Sequence, residues 1–290
     1  MSTALRRMRA HRFGGVLQVP AKQSPVSFVQ EAVDTHVDIV EKFRAAWVFE
    51  AGWHGLELLP TALARAAAQV LAVDAAGISL MGGEHRVPIG ASAPEATTAE
   101  RWQFTIGDGP CFTAYERSEP VFADETMLRG QWPTLHDEIY RHSPFRAEVA
   151  MPLGHGASRL GVLDLYFVAP RIDPGFDLVS AQLVASLIRT SLLGASLVAG
   201  LRESTAGDET ADLVPPIEPA PWLTNDLARR RQNVWVATGM FNVLGGVDNA
   251  DALALLRAYA YTHEKTLEDV ADDIVAGRTP VQALQEQIER

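Results

Sequence analysis

The sequence predicts an α+β domain with helices at both ends, joined by an acidic linker to a small all-α module. Three observations carry that prediction. Strand-like apolar runs between residues 77 and 168 are bracketed by stretches of helical periodicity. Residues 203–221 are acidic and rich in Pro and Thr, a composition that stays solvated and serves as a flexible linker. Beyond it, Leu227–Val275 fits three amphipathic helices into a span too short to enclose an enzyme's cleft.

The elements follow in chain order. Residues 1–24 read as a basic leader without fixed structure, and 25–58 as a helical extension. In the extension Val29, Val33, Val37, Val40 and Phe43 recur at three- and four-residue spacing. Leu59–Val73 is a helix with Pro60 in its first turn. Strands are expected at Gly77–Met81, His85–Ile89, Val121–Ala123, Glu148–Leu153 and Leu160–Val168, with Gly107-Asp108-Gly109-Pro110 and Trp132-Pro133 as turns or helix starts between them. A long helix from Asp177 to Arg202 closes the domain. Its Ala181–Leu201 stretch is long enough to span a bilayer, but Arg189 sits near its middle, where a charge is costly in lipid. Leu183, Leu187, Leu197 and Leu201 form a seam that favours packing on a partner helix, so a dimer or signalling helix is expected rather than a membrane span.

In the C-terminal module, Gly245-Gly246 ends the first helix, Asp248 caps the second, and Thr266 to Asp269 opens the third as a capping box. Gly239 lies inside the first helix, where it costs roughly 1 kcal/mol relative to Ala, which suggests a close approach by a neighbouring helix or a nucleic-acid backbone. Leu267, Val270, Ala271, Ile274 and Val275 make the buried face of the third helix.

Composition narrows the function. The 290 residues carry 36 acidic and 25 basic side chains, a net charge of −11, which argues against broad nonspecific nucleic-acid binding but allows a local basic face. One cysteine, Cys111, excludes an internal disulfide and paired-thiolate metal sites. No apolar run follows the basic N-terminus, so no signal peptide is read and a reducing cytoplasm is expected. Cys111 sits near a helix N-terminus, which lowers a thiol's pKa and would suit a redox or nucleophilic role; the same residue also fits as a small buried hydrophobe. A sulfoxide-reductase type of chemistry would need a resolving thiol that the chain lacks.

Residues 59–202 resemble a GAF sensor domain. The resemblance rests on Ala75–Leu80, Gln103–Cys111, Arg129–Pro133, Met151-Pro152-Leu153 and Leu160–Tyr166, in that order. It implies a central antiparallel sheet flanked by helices, with a pocket for a small-molecule signal or an unidentified cofactor. Phe104, Cys111, Tyr115, Trp132 and Phe145 could line that pocket or serve as core.

Residues 222–277 resemble the ANTAR domain, a three-helix RNA-binding module of transcription antitermination regulators, and 278–290 form a tail. The matching positions are Val234, Ala237, Gly239, Met240, Leu244, Ala252, Leu256, Arg257, Ala260, Leu267, Val270 and Ala271. This resemblance implies a homodimer that binds paired stem-loops of a leader transcript. From Trp222 onward the module has seven basic residues against ten acidic ones, so RNA would have to meet a local face. That face would be Arg229, Arg230, Arg231 and Arg257 on phosphates, Ala237 and Gly239 at the close approach, and Tyr259 stacking on a base. The arginine run also fits a solvated helix face. The acidic third helix would turn away from RNA. The sequence thus predicts a non-enzymatic, cytoplasmic regulator. DNA binding through a helix-turn-helix is the principal alternative, though Glu268, Asp269, Asp272 and Asp273 would then face phosphate. A GAF-fold redox protein using Cys111 and a module that only dimerises are the others.

Overall fold

The computed structural model describes residues 37–48, 56–82, 85–206, 222 and 226–281. The expected leader, the first part of the helical extension, most of the linker and the chain beyond 281 lie outside those residues. Residues 37–48 form helix α1, and its Phe43 is fully buried. A short 3-10 turn then leads into α2 (Leu59–Val70), which has Pro60 in its first turn. This helix ends three residues earlier than the sequence suggests, because Ala72 adopts a positive φ of 52° and turns the chain.

Five strands follow: β1 (Ala75–Gly82), β2 (His85–Ala91), β3 (Val121–Ala123), β4 (Ala147–Leu153) and β5 (Gly161–Phe167). They form one antiparallel sheet in the order β2-β1-β5-β4-β3. Each strand lies within two residues of its expected bounds. Between β2 and β3 lie α3 (Pro94–Ile106) and α4 (Pro110–Arg117); between β3 and β4 lie α5 (Glu125–Gln131) and α6 (Pro133–His142). The helix α3 has no counterpart among the expected elements.

Both faces of the sheet are covered, and the pleat sorts the side chains between them. Val149, Met151, Leu153, Leu163 and Leu165 point to the face packed by α2 and by α7 (Leu178–Ala206). Ala150, Val162 and Tyr166 point to the other, where α3 to α6 supply Trp102, Cys111, Trp132 and Leu135. Within α7, Leu178–Ser196 is long and apolar enough by length and composition to cross a membrane. Its Ala181, Val184, Ala185, Ile188 and Leu192 are buried against the sheet, while Val179 and Leu193 are exposed. Trp222 joins the same core.

The C-terminal module is α8 (Asp226–Gly245), α9 (Asn249–Thr262) and α10 (Leu267–Val275). Asp248 accepts a hydrogen bond from the Asp251 backbone at 2.9 Å, and Thr266 from that of Asp269, as their capping roles require. Gly239 departs from expectation. Among the described residues nothing lies within 4 Å of where its Cβ would be, so no neighbouring helix explains the glycine.

Candidate functional site: the sensor–module interface

Helix α3 is packed on both sides. Toward the sheet it contributes Glu100 and Gln103 to a fully buried polar cluster. Toward the C-terminal module it contributes Arg101, Phe104 and Thr105.

The cluster is built around Arg86 of β2. Its Nη1 donates to the Glu100 carbonyl at 2.8 Å, and its Nη2 donates to the Glu100 carboxylate at 2.5 Å and to Asp164 at 3.2 Å. Ser79 and Tyr166 donate to Glu100 at 2.7 and 2.6 Å. Gln103 donates to Glu148 at 3.1 Å and to the Tyr166 hydroxyl at 3.0 Å. Three carboxyls thus surround one guanidinium in a space without solvent. Burial opposes the charge on Glu100, but Arg86 and the hydrogen bonds from Tyr166 and Ser79 outweigh it, so Glu100 is the ionised partner. Burial, followed by the charge of Glu100, pushes Glu148 up to about 8 and raises Asp164 well above the usual carboxylate range.

On its other side α3 meets the module. Arg101 pairs with Asp269 at 2.7 Å and also donates to the Thr266 hydroxyl. The backbone N–H of Leu267 donates to the Thr105 hydroxyl at 2.9 Å. Phe104 is fully buried, and it is buried in the core of the module with Val234, Ala237, Phe241, Leu256, Leu267 and Val270. Arg231 carries its guanidinium 4.4 Å over the Phe104 ring and lies 2.8 Å from Glu268, with both charges about 2% exposed. None of the Arg231 N–H groups makes a well-directed hydrogen bond among the described residues. Burial lowers its pKa to about 10 against the opposing pull of Glu268. Both members of this desolvated, imperfectly bonded pair belong to the module, and it adds little net stability there.

A cleft of about 460 Å³ lies beside this contact. The sheet domain lines it with Met81, Gly107, Phe112, Tyr115, Glu116 and Arg159, and the module with Ala250, Leu253 and Arg257. Arg159 lies 4.5 Å over the Tyr115 ring and donates to the Tyr115 and Glu116 carbonyls at the end of α4. The volume and the mixture of aromatic, apolar and cationic walls suit a small ligand.

The residues expected to line a pocket therefore separate. Cys111, Trp132 and Phe145 are core of the helical face of the sheet, Tyr115 borders the cleft, and Phe104 belongs to the module's core. Cys111 is fully buried, and burial raises its thiol well above the ordinary range, opposite to the lowering expected near a helix N-terminus.

The residues expected on an RNA face separate as well. Arg229 is exposed. Arg230 is held by Asp269 at 2.5 Å and Asp272 at 2.8 Å, and Arg231 is buried against Glu268. These arginines meet the acidic third helix, which was expected to face elsewhere. Ala237 is fully buried in the module, Gly239 is exposed, and Tyr259 stacks on His263 at 3.9 Å. Arg257 lies against Gly107 at the cleft. Sequence reasoning missed Arg86, Glu100, Arg101, Thr105 and Glu148, since isolated polar residues in short segments carry no signal that they are buried.

No match to a curated protein was found. Among solved structures, the GAF domain of a phosphoenolpyruvate-protein phosphotransferase from Coxiella burnetii shares 13% identity, with a TM-score of 0.42 over 57% of this chain and 98% of that one. The corresponding GAF domain from Acinetobacter shares 14%, with a TM-score of 0.39 over 61% and 98%. The free methionine-R-sulfoxide reductase of Neisseria meningitidis shares 16%, with a TM-score of 0.40 over 57% and 93%. The family model of the GAF domain matches residues 55–192, which take in the whole sheet, the helices on both of its faces and the cleft-lining residues from Met81 to Arg159. That stretch of the chain is a GAF domain.

Proposed function

We propose that the protein is a signal-responsive regulator in which the GAF domain controls a C-terminal RNA-binding module of the antitermination type, acting as a homodimer in the cytoplasm. The observation that carries this reading is Phe104, a residue of the sensor domain built into the core of the three-helix module. A side chain shared in this way makes the module's position depend on α3, and α3 in turn is pinned to the sheet by Glu100 and Arg86.

The same contact sets the resting state. Arg230 and Arg231 are occupied by α10, and Arg257 lies at the GAF surface. RNA contact through Arg257 requires the module to leave α3, whereas Arg230 and Arg231 are held by α10 within the module itself. A small-molecule signal in the interface cleft, touching both domains, would bias that equilibrium by the difference in its affinity for the two arrangements.

The test is a gel shift with a two-stem-loop leader RNA and a scrambled control. Arg101→Ala, which removes the contact of α3 with Asp269 and Thr266 and leaves the module's core intact, is expected to tighten binding to the stem-loop RNA, and Arg257→Ala in that background to abolish it. Equal affinity of the purified protein for both RNAs overturns the RNA-binding reading.

A further inference from the structure

A second cleft lies on the opposite side of the sheet, and the interface does not use it. It measures about 370 Å³ and runs between the end of β4 and the outward face of α7. We infer that it is a binding site for a small oxyanion of the carboxylate or phosphate type.

Its chemistry differs from the rest of the surface. The chain carries −11 overall, yet no Asp or Glu lines this groove. Its polar lining is Arg189, His155, Gln182 and the hydroxyls of Ser158, Ser186 and Thr190. Gln182, Ser186, Arg189 and Thr190 fall at i, i+4, i+7 and i+8 of α7, so one stripe of a largely apolar helix is polar; the Thr190 hydroxyl donates to the Ser186 carbonyl at 2.9 Å, and Gln182, Ser186 and Arg189 supply the donors that line the groove. Arg189 is the only charge between Ala181 and Leu201. A solvated helix face would ordinarily alternate both signs; this stripe carries a single cation.

The groove also holds that cation in place. Gly154 adopts a φ of 107°, and a Cβ there would come within 2.9 Å of the Arg189 Nε and 2.7 Å of the Ser158 carbonyl. The missing side chain is what lets the guanidinium lie against the loop after β4. The Arg189 Nε donates to the Ser158 carbonyl at 3.2 Å. That bond orients the planar fork, and among the described residues no other hydrogen bond takes the donors of its two terminal nitrogens, the geometry in which arginine grips two oxygens of one anion. The Ser186 hydroxyl flanks it on the same helix, while those of Thr190 and Ser158 donate to backbone carbonyls. An occupant would bridge α7 to the sheet, and α7 is the helix that leads toward the C-terminal module.

The experiment is an NMR titration of the full-length protein with inorganic phosphate and, separately, with malonate. Sodium chloride keeps the ionic strength constant, and the Arg189 Nε–Hε resonance is followed with that of exposed Arg129 as the control. The expected result is a saturable shift of Arg189 alone, with the stronger of the two probes identifying the ligand class. Arg189→Gln is expected to weaken binding roughly tenfold or more, measured calorimetrically, and Ser186→Ala to weaken it by a smaller factor with the guanidinium intact. The proposal is overturned if neither probe gives a saturable shift, if Arg129 shifts in parallel, or if both variants bind like the parent.

Discussion

The guanidinium of Arg257 occupies the space that a side chain at residue 107 would need. Gly107 ends α3 in the left-handed region, with φ at 75°, and a Cβ built there would lie 2.5 Å from the Arg257 Cζ. A backbone position at the end of α3 therefore doubles as the seat of a cation from the C-terminal module. The placement is electrostatically sound, since a helix C-terminus attracts positive charge.

Gly107→Ala tests that seat. The left-handed conformation costs an L-residue roughly 1–2 kcal/mol, and the overlap with Arg257 adds to it. The module is expected to dock less tightly, seen as faster hydrogen exchange in α9 and α10 while β4 and β5 remain protected. Adding Arg257→Ala relieves the overlap, so the two substitutions should be less than additive in a double-mutant cycle. Strict additivity would separate Gly107 from Arg257.

Phe104→Ala empties a site in the module's core from the sensor's side. Truncating a buried phenylalanine costs roughly 3–5 kcal/mol. The loss should fall on α8 to α10, whose cluster encloses the ring, and leave the sheet intact. Thermal unfolding followed at separate probes in the two domains should split into two transitions. A single transition, lowered equally at both probes, would place Phe104 in the sensor's own core.

The central strands β4 and β5 were legible as short continuous apolar runs bounded by turn signals, and α10 by its apolar face. The helix α3 was not. It buries Ala96, Ala99, Glu100, Trp102, Gln103, Phe104 and Thr105, residues from all round its circumference, because the sheet lies on one side and the module on another. A helix buried all round shows no apolar stripe, and its buried polar residues read as surface. The arginine run misled for a related reason. Three adjacent arginines look alike in sequence, but the helical twist sends Arg229 to solvent, Arg230 to the rim of α10 and Arg231 into the interface. The capping residues Asp248 and Thr266 were legible because a cap depends only on its own turn.

Glu268→Gln asks what the buried pair contributes. It leaves the Arg231 guanidinium desolvated over Phe104 without its counter-charge, a loss of about 3–5 kcal/mol for a buried pair. The double change Arg231→Met with Glu268→Leu removes both charges and fills similar volume. That variant is expected to recover most of the stability, measured by chemical denaturation. If the double variant is as unstable as Glu268→Gln, the pair is a net stabiliser of the module.

The polar cluster under α3 makes stability depend on pH in a direction opposite to that of ordinary salt-bridged carboxylates. Glu148 is buried beside ionised Glu100, and its carboxyl is pushed up to about 8 from the ordinary value of 4.5. Between those values the folded chain holds a proton that the unfolded chain has lost. That contribution is full below about pH 4.5 and is lost as pH rises through 8, with a slope approaching ~1.4 kcal/mol per pH unit for one proton. Asp164, raised well above its usual range in the same space, adds a slope of the same sign. Denaturation midpoints measured at pH 5, 7 and 9 should therefore fall steadily. Glu148→Gln keeps an amide beside Gln103 and Tyr166 and removes one titrating group, so the decline should become shallower and midpoints at pH 9 should exceed the parent's. Because Glu100 leads along α3 to Arg101 and Phe104, the parent should also lose module protection at pH 9 before it loses the sheet. An unchanged midpoint between pH 5 and 9 would mean that Glu148 is ionised in the folded protein and that Arg86 balances more than one carboxylate.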